Sequence, residues 1–145
     1  MRTHALVGAG LAALLAISIP AAALAHGYKV RTLEIIHPWT QPAASPGAAL
    51  TVCMILKNKA ARADRLLSAS SPLAKAVLLQ SAAAPQDGAA TGFSIPAGGK
   101  LEMQKDGQRL VLEGVSKTVS PNDMVPLSLV FEHAGRIDVE VMVEE

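Results

Sequence analysis

Leu127-Ser128-Leu129-Val130-Phe131-Glu132 and Arg136-Ile137-Asp138-Val139-Glu140-Val141-Met142-Val143, joined by His133-Ala134-Gly135, decide the fold. Apolar residues recur at every second position in both runs, which is the period of a strand and not of a helix. The short glycine-containing link predicts a hairpin. Ile137, Val139, Val141 and Val143 then face a core, with Arg136, Asp138 and Glu140 turned to water.

Working back from this hairpin, Asp106-Gly107-Gln108-Arg109-Leu110-Val111-Leu112-Glu113-Gly114 reads as another strand entered from a tight Asp-Gly turn. Leu110 and Leu112 share one face; Arg109, Val111 and Glu113 share the other. Two residues at i and i+2 on an outward face reach one small site together, so Arg109 and Val111 are singled out. Further strands are expected over Thr32–Ile36, Ala48–Leu56, Ala63–Ser68, Ala76–Gln80, Gly92–Ile95 and Lys100–Met103. Turns are expected at 57–60, Ser70-Ser71-Pro72 and Pro96-Ala97-Gly98-Gly99, and loops at Gln41–Gly47 and Ser81–Gly92. Pro42 and Pro46 cannot donate to a ladder, which keeps 41–47 out of a central strand. No stretch after residue 25 holds a helical period. Many short strands between turn signals point to a single all-β domain, a β-sandwich or Greek-key barrel.

The chain has 145 residues, half of them hydrophobic, and the N-terminus inflates that fraction. Met1-Arg2-Thr3-His4 opens with a basic residue, Ala5 to Ile19 is apolar throughout, and Ala23-Leu24-Ala25 supplies a small-x-small cleavage pattern. Residues 1–25 are read as a secretory signal peptide, leaving a domain of residues 26–145 with no membrane span after cleavage. Cys53 is the single cysteine and does not lie near the cleavage point, so no lipoprotein attachment there and no intramolecular disulfide is expected. The expected location is the periplasm. Lys and Arg total 13 against 12 Asp and Glu, and the leader removes Arg2 alone, so the secreted domain is close to neutral. With few aromatic residues as well, it carries no nucleic-acid footprint.

Enzyme signatures are absent: no nucleophile elbow, no phosphate loop, no HExxH. No catalytic, cofactor or metal residue is assigned. His37 precedes Pro38 beside the only tryptophan and is read as orienting its loop. His133 is read as a solvated turn residue, and Cys53 as a small buried hydrophobe. Cleavage after Ala25 would give His26 a free α-amine beside its imidazole, a pair that can chelate Cu(II). Met54 is expected in the core and Met142 on the outward face of the last strand. Met103 and Met124 have no sequence neighbour that makes them ligands.

In this order, several segments resemble the periplasmic copper chaperones called PCuAC: His26-Gly27-Tyr28-Lys29, His37-Pro38-Trp39, Pro46-Gly47-Ala48-Ala49, Ala63-Asp64-Arg65-Leu66 with Ala69-Ser70-Ser71-Pro72, Ile95-Pro96-Ala97-Gly98-Gly99, Asn122-Asp123-Met124-Val125-Pro126-Leu127 and Phe131-Glu132-His133-Ala134-Gly135. The resemblance implies a cupredoxin-like β-sandwich. It also implies copper(I) as cargo, carried toward cytochrome c oxidase, with oxidase assembly proteins or another periplasmic protein as partners. Two His and two Met form the family's site. The first His matches Gln80, the loop Met has no counterpart in Ser81–Gly92, and the His-x-Met pair matches Arg109-Leu110-Val111. Arginine has no acceptor lone pair and valine no donor atom. A cation at the site would repel a metal ion by about 1 to 4 kcal/mol at ~4 Å. The expectation is a PCuAC-like protein with a degenerate copper site, any residual metal resting on His26 or Met103. The alternative is a metal-free interaction module using Gln80, Arg109 and the 81–92 loop.

Overall fold

A computed structural model describes residues 27–30, 32–82 and 91–145. The strands are β1 (Gly27–Val30), β2 (Leu33–Thr40), β3 (Leu50–Asn58), β4 (Asp64–Ser70), β5 (Ala76–Gln80), β6 (Phe93–Ile95), β7 (Lys100–Glu102), β8 (Arg109–Glu113), β9 (Met124–Phe131) and β10 (Gly135–Val143), with no helix among the described residues. They run in the order β5-β8-β3-β2-β10-β9-β4-β6 and curl into a nearly closed barrel-like sheet, with β1 added beside β2 and β7 beside β3. All the pairings are antiparallel except β2 with β10. The all-β expectation stands.

The β9–β10 hairpin has the anticipated register, with Ile137 opposite Leu129 and Val139 opposite Leu127. Ile137, Val139, Val141 and Val143 are buried, as are Leu50, Val52, Met54 and Leu56 on β3 and Leu110 and Leu112 on β8. Gly135 takes a φ of +77°, which a residue with a Cβ reaches only at a cost. The hairpin is tied to β4 by Asp64, only 6 % exposed. Its carboxylate accepts from the backbone N–H groups of Arg65 (2.8 Å), His133 (2.9 Å) and Ala134 (3.0 Å). A buried charge is tolerated when its lone pairs are filled in this way.

Several expected boundaries are corrected. β3 continues through Lys57 to Asn58, where a turn was expected, because Leu56–Lys57 pair with Leu101–Lys100 and Asn58 with Leu33. The buried Asn58 side chain then organises the following loop, donating to the carbonyls of Arg62 and Ile95 and accepting from Ala60 N–H. β4 runs on to Ser70 because Ala69 and Ser70 pair with Leu129 and Ser128. β9 begins at Met124, before Pro126: that proline sits opposite Glu140, and its carbonyl accepts from Ser71 Oγ at 2.7 Å. β2 passes through His37-Pro38 to Thr40 by way of a register shift between Ile36 and Trp39. The shift places His37 at a φ of +48°, directly before proline. β1 was not anticipated at all. Four residues give little periodicity, and one of its anchors is remote: Tyr28 Oη accepts from Glu140 N–H at 2.8 Å. The expected signal peptide and His26 lie outside the described residues, as does most of the 81–92 loop.

Candidate functional site

β5 and β8 pair along their whole length, and the register sets Gln80 opposite Arg109 and Leu78 opposite Val111. Strand alternation puts these four on the outer face, because Leu79, Leu110 and Leu112 fill the inner one. The Arg109 guanidinium is fixed at two points: one terminal N–H donates to Gln80 Oε1 at 3.1 Å, the other to the Gly107 carbonyl at 2.9 Å. The 104–108 turn that presents it is closed by Gln104 N–H on the Gln108 carbonyl and Gly107 N–H on the Gln104 carbonyl. Arg109 and Val111, singled out by spacing alone, therefore do share one face with Gln80, all three half-buried.

β3 and β2 continue this outer face, with Thr51 opposite Val111 and Cys53 opposite Trp39. Cys53 is buried, as expected of a small hydrophobe, but on the outer face and not among the inner core side chains. Burial pushes its thiol pKa up, while the Lys105 and Arg109 charges pull it the other way. Burial prevails, so the sulfur is a thiol and not a nucleophilic thiolate. Lys105 Nζ lies 5.1 Å from the Trp39 ring centroid, a cation–π contact. Sequence reasoning missed Lys105, since nothing in a turn lysine announces an aromatic partner 66 positions earlier.

His37 does orient its segment. Its Nε2 is 2.5 Å from Glu144 Oε1, its ring stacks on Trp39 with centroids 6.4 Å apart, and Glu144 N–H donates to the Thr40 carbonyl. His133 is exposed in its turn and holds the fold through its backbone N–H, not its imidazole. Met54 is in the core, as expected, and so is Met103, adjacent to it across the β3–β7 ladder with its N–H on the Met54 carbonyl. Met142 is half-buried and Met124 is 45 % exposed. The structure thus brings Gln80, Arg109, Val111 and Cys53 together and leaves His133 and Met124 apart from them. Among the described residues no group of three or more His, Cys, Asp or Glu side chains could hold a metal ion.

Comparison with known families gives a match over residues 33–143 to the family described as "Putative lipoprotein LpqE-like". The chain belongs to this LpqE-like family. Its fold is that of PCuAC domains. The copper-bound PCuAC domain from PmoF2 is 27 % identical with a TM-score of 0.73, covering 82 % of this chain and 97 % of that one. The apo PCuAC domain from PmoF1 is 20 % identical with a TM-score of 0.75, covering 82 % and 98 %. DR1885 from Deinococcus radiodurans, solved with Cu(I) in solution, is 24 % identical with a TM-score of 0.58, covering 84 % and 83 %. A comparison with curated protein sequences finds no match. The resemblance to PCuAC drawn from the sequence is borne out, and with it the cupredoxin-like all-β reading. This LpqE-like chain shares its scaffold with domains whose structures were solved with copper bound.

Proposed function

We propose that this LpqE-like protein is an extracytoplasmic, non-enzymatic member of the copper-handling PCuAC group that acts in the periplasm, in respiratory oxidase assembly, without a Cu(I) ion at the inherited site. The observation that carries this reading is the Arg109–Gln80 hydrogen bond. The two positions that would each supply an imidazole face one another across the β5–β8 ladder, and a guanidinium bridges them. Arg109 offers no lone pair, Val111 no donor, and Gln80 directs its carbonyl oxygen at the guanidinium instead of a metal. Among the described residues of β5 and β8, none on this face carries a soft donor that suits Cu(I), and the nearby Cys53 thiol is buried.

The test is anaerobic Cu(I) competition against bicinchoninate with residues 26–145. The chelator should keep its copper. Nanomolar or tighter withdrawal that persists in both His26→Ala and Met103→Ala would overturn the reading.

A further inference from the structure

We infer that the outer face of β2, β3, β8 and β5 is a docking surface for an acidic, apolar segment of a partner protein, with Arg109 receiving a partner carboxylate. An antiparallel sheet with one face on the core ordinarily turns polar residues outward. Here the outward positions include Leu78, Val111, Thr51, Ile55, Ile36 and Trp39, all of them half-buried and linked by the pairings Leu78–Val111–Thr51 and Ile36–Ile55, beside the polar Gln80, Arg109 and Glu113. They adjoin Cys53, which is buried on this face opposite Trp39.

The chemistry of the occupant follows from charge. Neither Arg109 nor Lys105 is ion-paired with a described carboxylate: Glu102 is taken by Lys100, Asp138 by Arg136, and Glu144 by His37. Two cations without an ion-pair partner among the described residues, beside these apolar side chains, complement a segment that presents carboxylates between apolar side chains. Arg109 is also held in place beforehand, by the Gly107 and Gln80 carbonyl oxygens, so less rotamer freedom is lost when a partner binds. Its remaining N–H groups offer the forked geometry that a carboxylate accepts. This inference rests on the reading that the Gln80–Arg109 position does not take copper.

The test is a titration of the ¹⁵N-labelled domain, residues 26–145, with the capped pentapeptide VELDL and with its uncharged analogue VQLNL. VELDL should shift the amides of Thr51, Leu78, Arg109 and Val111, and bind about tenfold or more tightly than VQLNL. Arg109→Gln, checked to keep its thermal midpoint, should erase that difference, and Lys105→Gln should reduce it. Equal binding of both peptides, shifts confined to another face, or a difference that survives Arg109→Gln would each overturn the proposal. So would concentration-dependent self-association abolished by Arg109→Gln, which would make a second copy the occupant. Copper competition reads the underlying function independently: Cu(I) binding lost only on changes at Gln80 or Arg109 sinks that function, whereas absence of peptide shifts sinks the docking proposal alone.

Discussion

Placing donors at three positions should turn this scaffold into a Cu(I) binder. The substitutions are Gln80→His, Arg109→His and Val111→Met. Gln80 and Arg109 are direct cross-strand partners, so their Cβ atoms stand about 5 Å apart. Val111 follows Arg109 by two strand steps, about 7 Å along the same face. Two imidazoles and a thioether from those points can converge on one ion without moving the backbone. Replacing the guanidinium removes a repulsion of about 1 to 4 kcal/mol at ~4 Å, or roughly fivefold to a thousandfold in affinity, before any new bond is counted. The lost Arg109–Gln80 hydrogen bond is half-exposed and should cost about 1 kcal/mol of stability, a few degrees in Tm. Anaerobic bicinchoninate competition should show the triple variant withdrawing one equivalent of Cu(I), while Arg109→Gln alone withdraws none. A triple variant that keeps the wild-type Tm to within a few degrees yet takes no copper would refute the assignment of these positions.

Asp64→Ala removes the acceptor for three backbone N–H groups in a site only 6 % exposed. A loss of about 3 to 5 kcal/mol by urea denaturation is expected, and a change below about 1 kcal/mol would mean that Asp64 does not pin the hairpin to β4. Cys53 makes the stability depend on alkaline pH. Burial raises its pKa above the reference 9.0, so its contribution is complete below that value and is lost as pH rises through the folded pKa, because the unfolded chain releases the proton first. Urea midpoints should fall between pH 8 and pH 10.5, and more steeply in the wild type than in Cys53→Ala; parallel pH profiles would show that the thiol is not the cause.

Strand periodicity made β3, β8, β9 and β10 legible, since each has an inner face of Leu, Ile, Val or Met at alternate positions. It failed where pairing, not pattern, sets the ends. Lys57-Asn58 has turn composition yet stays in β3 because β2 and β7 supply partners. Met124–Pro126 joins β9 because Glu140–Met142 lies opposite. β1 was invisible, because its short run is held in part by a hydroxyl meeting a backbone N–H 112 positions away.

The outer face divides along the same line. That Arg109 and Val111 share a face follows from alternation within one strand, a local property that any register preserves. That neither can ligate copper follows from their side-chain chemistry. Sequence alone could therefore establish the all-β class and the resemblance to PCuAC. Register is not local. Only the assembled sheet set Gln80 against Arg109 so that they bond to each other, brought Lys105 over Trp39, buried Cys53 opposite Trp39, and put Leu78, Val111 and Ile55 on one outer face. Those contacts join residues tens of positions apart, and their identity depends on which strands become neighbours, a choice made by the packing of the whole core.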